Sequence, residues 1–581
     1  MRSSWRMLFI TTVACMLGYY DPACKLSFHI VTSAVATAAL LSIPIGILPR
    51  WLSVPLQLIV GEMIIMMNLV DVYCQIYFLS GITPQLFITV FQSNVREASE
   101  FLSTFLDADV LSQWRIVVLL MMIAFPVTYL PAVARALRKV PCHISDRVQS
   151  IIRWGACCCV LLSLAVEAIP MYRFIQFFSP QSDAMRTESL IFRHYDEEIH
   201  LPPHRILQAW FVTRQSGELI QDIANSTYEA TIDSCSHLSP HIVLVIGESY
   251  NKHHSSLYGY GLPTTPLQQK RRDEGSLFVF DDVVTPWNIT SNVFLNMFST
   301  WNCADTTRMG AHPLFPALFR KAGYQVSFFS NQYVERGFRK TSTNQAGHFF
   351  LSNRHLCEEM FDYRNPKAFA FDMRILKAVD KYKRKNHTPA PTLDIIHLIG
   401  QHFDYKSRYP RDETHFSLKD IQRPNLNKAA REVVMHYDNA THYNDQVVNH
   451  ILLMYADKEA IVIYVADHGE EVYDDQKVHG RLFQTPMWSL AHQEFEVPMW
   501  IWCSPKYAEQ HADIVGQIRS SQHKPMMTDD IPQLLFGIAG LQCQWRDDSR
   551  NILSSKYRPK KRIIAGETDY DALKQTQESK E

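Results

Sequence analysis

The sequence lacks an excess of charge of either sign, and it lacks the paired cysteines of common metal-binding motifs. Its 57 lysines and arginines nearly balance its 58 aspartates and glutamates, leaving a net charge of −1. No overall field therefore draws the protein to nucleic acid. The 12 cysteines include no Cys-x-x-Cys pair, so a zinc site built from cysteines is not expected. There is no internal repeat or low-complexity tract, and the length suggests about two or three domains.

Long apolar runs are present, and they lie almost entirely before Pro170, whereas most charged residues follow it. A helix needs about 20 apolar residues to cross a membrane, and five runs approach or exceed that length. We therefore predict five transmembrane helices, roughly Trp5–Tyr20, Leu26–Leu48, Leu52–Leu79, Ile116–Ala134 and Ile151–Ile169.

The basic residues around these runs predict their orientation. They cluster in the N-terminal tail, at Arg50, and between Arg135 and Arg147. The positive-inside rule places that side in the cytoplasm. The loop Ser80–Trp114 and the chain after Ile169 then lie outside, as in a bacterial inner-membrane protein with a periplasmic domain.

This division predicts three parts of the chain. Residues 1–170 form the transmembrane domain, 171–238 form an interfacial bridging segment, and 239–581 form the periplasmic domain. In the bridging segment, "MYRFIQFF" and "RILQAWFV" place aromatic rings beside charges, a combination typical of a membrane interface.

Buried strands alternate with helices in the periplasmic part. The predicted strands are "IVLVIGE", "YQVSFFSN", "LDIIHLIG", "AIVIYVAD" and "VPMWIWCS". Their alternation with helical patterns favours an α/β sheet with helices on both faces. In such sheets ligands bind at the carboxyl ends of the strands.

Potential metal ligands lie just after these strands or in nearby loops. Carboxylate and imidazole ligands of this kind suit zinc or manganese. Each residue alone is a weak signal, but the combination at one sheet edge predicts a metal site. The candidates are Glu248, His397, His402, Asp467, His468 and His479.

Thr290 is the candidate nucleophile. It lies near the N-terminus of the helical pattern "SNVFLNMFST", where backbone N–H groups and the helix dipole favour an anion. Threonine is also a good N-cap residue, and Asn288-Ile289-Thr290 is a glycosylation sequon in a glycosylating compartment. From the residues alone, cap and nucleophile remain equal alternatives.

Several sequence blocks together resemble the phosphoethanolamine transferases of Gram-negative inner membranes, within the alkaline phosphatase/sulfatase superfamily. The blocks are "SNVREASEFL", "GESYNKHHSSLYGYGLPTTP", "NITSNVFLNMFS", "HLIGQH", "YDNATHYND", "VADHGEE" and "VHG". The resemblance covers nearly the whole chain and implies a five-helix transmembrane domain followed by an α/β alkaline phosphatase/sulfatase-like domain.

The resemblance also implies residue roles. Glu248, Thr290, Asp467 and His468 would hold the catalytic zinc, with Thr290 as nucleophile. The remaining histidines would bind phosphate, protonate the leaving group or hold a second zinc; they are His397, His402 and His479.

The implied reaction transfers phosphoethanolamine from phosphatidylethanolamine to lipid A or the lipopolysaccharide core through a phosphoethanolamine–Thr290 ester. Membrane lipids are the expected partners, nucleic acid is not, and a monomer is expected. One alternative is a phosphoglycerol transferase of the same superfamily. A sulfatase-like hydrolase is a second, although the C/S-x-P-x-R motif of formylglycine sulfatases is missing. A non-catalytic scaffold with the same fold is the third.

Two further expectations concern single side chains. We predict a disulfide between Cys303 and Cys357, since an exported domain permits disulfides. Glu62 and Asp71 lie within the third apolar run. Intramembrane carboxylates are often functional, but a position near the outer interface would also account for Asp71, and a pairing with a neighbouring helix would account for Glu62.

Overall fold

The computed structural model describes residues 2–19, 28–77, 82, 112–124, 145–178, 201–332, 350–386, 388–481 and 486–579. Its internal contacts divide into two compact units, one ending at Thr213 and one beginning at Arg214. The predicted motif "SNVREASEFL" and the basic segment from Arg135 to Lys139 lie outside the described residues.

The first unit consists of helices, and a seventh helix continues from it past Thr213. Helix formation follows from the apolar runs, because a helix satisfies all backbone hydrogen bonds within one segment. The helices are α1 (Arg2–Tyr19), α2 (Phe28–Ile47), α3 (Arg50–Tyr77), α4 (Trp114–Ala124), α5 (Asp146–Val166), α6 (Ala168–Phe177) and α7 (Pro202–Glu229).

Two of these helices are long and apolar enough to cross a membrane, namely α2 over Ile30–Ile47 and α3 over Arg50–Ile76. Each of the other predicted spans coincides with a shorter apolar helix: Met7–Gly18, Trp114–Ile123 and Ser150–Val166. The second half of the predicted span Ile116–Ala134 lies outside the described residues. Five helices are therefore present where five were predicted, and two of them meet the full length criterion.

Polar side chains inside this unit are paired across helices. Asp71 of α3 is fully buried and forms an ion pair with Arg205 of α7. Arg205 Nε lies 3.1 Å from Asp71 Oδ1, and Thr37 Oγ1 of α2 lies 3.2 Å from His204 Nε2. Asp71 thus has a structural partner on another helix, a pairing that the sequence suggested for Glu62, whereas Glu62 is partly exposed.

The second unit is built around a seven-stranded sheet whose central strands are parallel. Its spatial order is β3-β11-β8-β2-β7-β5-β6. Strands β8, β2, β7, β5 and β6 run parallel, and β11 is antiparallel to both β8 and β3. The strands are β1 (Ser234–Cys235), β2 (His241–Gly247), β3 (Leu277–Phe280), β4 (Val283–Val284), β5 (Gln325–Ser330), β6 (Tyr363–Arg364), β7 (Thr392–His397), β8 (Ala460–Ala466), β9 (Glu471–Val472), β10 (His479–Gly480), β11 (Met499–Cys503), β12 (Met526–Met527), β13 (Leu541–Gln542), β14 (Ile563–Ile564) and β15 (Thr568–Asp569).

Helices separate these strands along the chain. They are α8 (Pro266–Asp273), α9 (Thr290–Phe298), α10 (Phe315–Lys321), α11 (Arg354–Met360), α12 (Asp372–Lys385), α13 (Lys428–Tyr455), α14 (Trp488–Glu494), α15 (Pro505–Gln510), α16 (Ala512–Ser521), α17 (Ile531–Ala539) and α18 (Tyr570–Glu578). Strand β8 is buried along its whole length and β2 from its second residue onward, as continuous apolar runs in a parallel sheet predict.

The register of the central strands positions the site. Gly247 at the end of β2 is paired with Ala466 at the end of β8, and Ile246 is paired with His397 at the end of β7. Residues that follow these pairs therefore leave the sheet at the same level. All five predicted strands are present, and two edge strands, β3 and β6, were not anticipated.

Candidate metal centre and active site

The first element of the site is the sharp end of strand β2. Gly247 is required there, because a Cβ at this position would lie 2.2 Å from the Tyr464 hydroxyl oxygen. Ser249 follows with a φ of 53°, so the chain turns directly after Glu248. This backbone geometry aims the Glu248 carboxylate across the carboxyl edge of the sheet instead of along it.

The second element comes from strand β8. Asp467 and His468 follow it directly, and Gly469 packs against the next helix so closely that a Cβ would lie 2.1 Å from the Gln493 carbonyl oxygen. Asp467 Oδ1 accepts hydrogen bonds from the backbone N–H groups of Ser249 (3.0 Å) and His468 (2.7 Å). These bonds hold the β2 and β8 loops together.

The metal-binding candidates converge on the Thr290 hydroxyl. Thr290 Oγ1 lies 3.1 Å from Glu248 Oε2 and 3.3 Å from His468 Nε2. His468 Nε2 in turn lies 3.3 Å from Asp467 Oδ2 and 3.5 Å from Glu248 Oε1. Glu248, Asp467 and His468 are fully buried and Thr290 is 5% exposed. The structure therefore brings together all four residues that the resemblance implied as zinc ligands.

The cap interpretation of Thr290 is wrong. Ile289 is the N-cap residue of α9, and it makes no side-chain capping hydrogen bond. Thr290 is the first helical residue, and its hydroxyl points to Glu248 and His468. The side chain is therefore available for chemistry at a helix N-terminus that favours negative charge.

Hydrogen-bond donors reach most, but not all, of the acceptor atoms in the cluster. The His468 Nδ1–H donates to the Gly469 carbonyl (2.7 Å), since a carbonyl can only accept, so Nε2 is an unprotonated acceptor, and Arg481 donates to it. Glu248 accepts from Gln332 and Ser249 as well as from Thr290. Asp467 Oδ2 is buried and accepts no hydrogen bond among the described residues. A cation suits this unpaired oxygen, and the set of one imidazole, two carboxylates and a hydroxyl fits a divalent metal ion.

The electrostatics of the two carboxylates support the same conclusion. Burial raises the pKa of Asp467 well above its usual range, and the adjacent Glu248 charge raises it further. Burial alone would also raise the pKa of Glu248, but its interaction with His397 and the charges of nearby histidines and Arg481 bring it well below its ordinary value. Burial and the Arg481 charge lower the pKa of His468 to about 4, which favours the neutral, metal-binding form.

The other three predicted histidines occupy different positions. His397 Nε2 lies 3.7 Å from Glu248 Oε2, and its Nδ1 lies 3.0 Å from Ser330 Oγ. His402 follows Gln401, whose backbone N–H donates to the Glu248 carbonyl (3.0 Å). His479 lies on the β9–β10 hairpin, with Nδ1 3.1 Å from the Tyr473 hydroxyl.

Burial lowers the pKa of two of these histidines. The pKa of His402 falls to about 3, with the charges of Arg481 and Arg408 adding to the effect of burial. The pKa of His479 falls to about 4 because of burial alone. Both imidazoles are therefore neutral near pH 7.

Sequence reasoning missed Arg481 and Gln332. Arg481 Nη1 lies 3.2 Å from His468 Nε2, and the Gln332 side-chain amide donates to Glu248 Oε2 (2.8 Å). Arg481 stands two residues after His479 in "VHGR", so its place in that motif was the available signal. Gln332 follows the end of β5, and nothing in the local sequence distinguishes it from a surface glutamine.

Comparison with known proteins adds the family. A family model described as Sulfatase matches residues 240–541, which is more than half of the chain. The chain belongs to the sulfatase family. It is similar to phosphoethanolamine transferase EptC of Escherichia coli (strain K12), with 25% identity over 565 residues that cover 94% of this chain and 91% of that protein.

Two solved structures are similar to this sulfatase-family chain. The C-terminal periplasmic domain of E. coli EptC in complex with Zn matches with a TM-score of 0.51 and 26% identity, covering 59% of this chain and 96% of that one. The integral membrane protein lipooligosaccharide phosphoethanolamine transferase A of Neisseria meningitidis matches with a TM-score of 0.62 and 18% identity, covering 96% and 98%. The resemblance to phosphoethanolamine transferases is confirmed, as is the alkaline phosphatase/sulfatase-like fold of the C-terminal domain.

Proposed function

We propose that this protein is a zinc-dependent transferase of the bacterial inner membrane with its catalytic domain in the periplasm. It moves phosphoethanolamine from phosphatidylethanolamine to lipid A or the lipopolysaccharide core. Similarity to EptC supports the type of reaction. The observation that carries the proposal is the Thr290 hydroxyl, which lies within 3.3 Å of both Glu248 and His468 at the start of a helix.

Glu248, Asp467 and His468, together with the Thr290 oxygen, would hold the zinc ion. When bound, zinc lowers the pKa of a hydroxyl and stabilises negative charge on phosphate oxygens. One similar solved structure, the periplasmic domain of E. coli EptC, is described in complex with Zn. The donor set of one imidazole and three oxygens suits a catalytic zinc with room for substrate.

Thr290 forms the new bond in the first half-reaction. Its oxygen attacks the donor phosphorus, the bond from phosphorus to the diacylglycerol oxygen breaks, and the hydroxyl proton ends on that departing oxygen by way of a histidine. Backbone N–H groups at the start of α9 and the Arg481 guanidinium, which lies 3.2 Å from His468 Nε2, stabilise the charge of the phosphoryl group. The acceptor then attacks the phosphoethanolamine–Thr290 ester and restores the threonine.

Histidines serve the leaving group and the phosphate. His397 lies 3.7 Å from Glu248, and His402 and His479 are neutral near pH 7 because burial lowers their pKa values to about 3 and about 4. Neutral imidazoles donate N–H hydrogen bonds to phosphate oxygens. One of them would take up the proton that the threonine hydroxyl releases and, as imidazolium, pass it to the departing alkoxide. A second zinc on these three histidines is the alternative role.

The decisive experiment tests Thr290 as the nucleophile. Thr290→Ala should abolish transfer while the protein stays folded, and Thr290→Ser should retain part of the activity. Ser291→Ala is the matched control, because Ser291 is also buried in the first turn of α9 but is not among the proposed ligands; it should remain active.

The covalent intermediate should be visible directly. Incubation with a phosphatidylethanolamine analogue and no acceptor should release diacylglycerol and add one phosphoethanolamine to the peptide that contains Thr290, as read by peptide mass spectrometry. An active Thr290→Ala enzyme would refute the mechanism, as would a label on Ser249 or Ser291.

The acceptor is identified by the product. Mass spectrometry of lipid A and of core oligosaccharide, from cells with and without the gene, should show phosphoethanolamine lost from one of the two. Loss of a phosphoglycerol substituent instead would favour the phosphoglycerol transferase.

A further inference from the structure

A second cluster of metal-ligating side chains lies outside the site described above. His253 belongs to the short turn Lys252–His254, five residues after Glu248, and His492 lies on helix α14. Glu496 follows the end of α14, one helical turn after His492. Ligand atoms of these three residues lie within 4.8 Å of one another. The two imidazoles are 28% and 31% exposed and the carboxylate 8%, so an ion can reach them from solvent.

The separations within this cluster match those between ligands of one ion. His253 Nε2 lies 3.3 Å from Glu496 Oε2, and His492 Nδ1 lies 3.2 Å from Glu496 Oε1. His253 Nε2 also lies 3.2 Å from the His492 carbonyl oxygen, so zinc would have to replace the proton of that hydrogen bond. Good N–H···O hydrogen bonds cluster near about 2.9–3.0 Å. Ligands about 2.0–2.1 Å from a tetrahedral zinc are about 3.3–3.4 Å apart. The cluster around Thr290 has the same spacing, from 3.1 Å to 3.5 Å.

We propose that His253, His492 and Glu496 form a second transition-metal site, suited to zinc, with its fourth position open to solvent. Two imidazoles and one carboxylate are a known catalytic and structural ligand set for this metal. The site uses none of the residues assigned to the phosphoryl transfer.

Two donors compete with a metal for the carboxylate. Lys252 Nζ lies 2.5 Å from Glu496 Oε2, and the Tyr570 hydroxyl donates to Oε1 (2.6 Å). Lys252 has a second acceptor 3.1 Å away, the Asp281 carbonyl. Zinc binding would therefore shift Lys252 to that carbonyl, and removal of the lysine charge should tighten zinc binding.

The position of the site predicts its effect. Helix α14 also contacts the active site, since Asn288 donates to the Glu494 carboxylate (2.7 Å) and the Gly469 N–H donates to the Glu494 carbonyl (2.8 Å). Asn288 precedes Thr290 by two residues and Gly469 follows His468. A metal that joins His253 to His492 and Glu496 would clamp the loop after Glu248 to this helix and stabilise both.

The test counts zinc in the full-length protein. Chelator-treated protein in detergent is titrated with zinc alone. The amount of bound metal and the melting temperature are both measured. Asp467→Ala should still bind one ion, and His253→Asn/His492→Gln should bind one ion fewer than wild type. The loss of affinity at this site should exceed about 100-fold, the upper range for losing an indirect partner of a ligand. Lys252→Met should bind the second ion more tightly than wild type, and this gain cannot come from misfolding.

Two controls make the count specific. His511→Gln removes a histidine that pairs with a single carboxylate, Glu459, at 2.7 Å, and it should leave the count unchanged. His479→Gln tests whether a second ion is instead held on the phosphate side; loss of the ion in that variant would overturn the proposal. So would an unchanged count in His253→Asn/His492→Gln, which would show a hydrogen-bonded cluster only. These measurements use no lipid substrate, so their outcome is independent of the proposed transferase activity.

Discussion

Two fully buried aspartates, one in each unit, have opposite surroundings. Asp71 in the helical unit accepts hydrogen bonds on both oxygens: Arg205 and the Ile82 N–H serve Oδ1, and Gln75 and Arg205 serve Oδ2. Asp467 in the sheet unit has donors on Oδ1, but its Oδ2 accepts no hydrogen bond among the described residues.

The comparison shows that burial does not by itself distinguish a structural carboxylate from a functional one. Buried polar atoms are nearly always paired, and an exception needs an explanation. Asp71 is explained by its own unit, whereas Asp467 has an unpaired oxygen that the proposed metal ion would occupy. Removing each charge should therefore have opposite consequences for activity and stability.

Asp467→Asn should have the largest effect of these substitutions, and the property that it lowers should be the transfer activity. The amide retains one oxygen for the Ser249 and His468 N–H groups but removes the charge that would hold zinc. Transfer and zinc affinity should fall by more than about 100-fold. Without zinc, the melting temperature of this variant should equal or exceed that of the wild type, because the substitution removes an unbalanced buried charge. Wild-type zinc content and transfer in this variant would contradict the assignment.

Asp71→Asn should show the reverse pattern. Breaking a buried ion pair from one side costs about 3–5 kcal/mol, since Arg205 remains buried. The melting temperature in detergent should drop while transfer per folded molecule stays near wild type, and Asp71→Leu/Arg205→Met should recover part of the loss. Asp222→Asn is the control, because Asp222 is 52% exposed and 3.7 Å from Arg308; such surface pairs contribute about 0–1 kcal/mol. Loss of transfer without loss of stability at Asp71 would assign it a functional role.

Asp445 is an intermediate case, and it predicts a pH dependence. It accepts hydrogen bonds from the Leu267 and Gln268 N–H groups at the start of α8, and burial raises its pKa from 3.8 to about 6. A raised carboxyl pKa contributes stability that is complete below pH 3.8 and is lost as the pH rises through about 6. The stability of Asp445→Asn relative to wild type should therefore rise from about pH 4 to 6 and then level off, by at most about 3 kcal/mol. Asp273→Asn, at the exposed end of the same helix, should show no such change in thermal melts across this range.

The smallest effect is expected at the cysteines. The predicted Cys303–Cys357 disulfide is wrong: both thiols are free, with Cys303 Sγ 3.3 Å from Asn296 Oδ1 and Cys357 Sγ 3.2 Å from the Leu351 carbonyl. Each thiol has a hydrogen-bond acceptor nearby, just as the Asp71 carboxylate has hydrogen-bond donors nearby. Unreduced peptide mapping should find both alkylated, and Cys303→Ala should cost less than the about 2–4 kcal/mol of a lost disulfide. Cys235→Ala is the control, because it removes another thiol that is hydrogen-bonded to a carbonyl. A peptide pair linked by Cys303 and Cys357 would show that the disulfide forms after all.

Sequence patterns predicted the central sheet because each of its strands is rich in apolar residues and at least five residues long. They did not predict the four-residue β3 or the two-residue β6, since runs this short give a weak signal. The proposed ligands Glu248, Asp467 and His468 could be found because each lies at the end of a predicted strand. Nothing local could place Gln332 beside Glu248, because the two residues are 84 positions apart in the chain.

The helical unit shows the same limit. Hydropathy identified a helix at each predicted span, yet the partner of Asp71 is Arg205, 134 positions away. The cap interpretation of Thr290 could also be tested only with coordinates, since it requires helix α9 to begin at residue 291, whereas the helix begins at Thr290. Which cysteines form a disulfide depends on the distances between them in the folded protein, and their spacing in the sequence does not give those distances.

Because Ile289 and not Thr290 caps helix α9, the helix does not depend on the threonine hydroxyl for its own integrity. The oxygen proposed to form the new bond is therefore not an atom that supports the fold. An inert Thr290→Ala protein should thus keep its fold and the other three proposed zinc ligands, and it should bind the donor lipid without consuming it. Such a protein offers a way to capture the natural lipid from membranes and to screen for inhibitors that occupy its place.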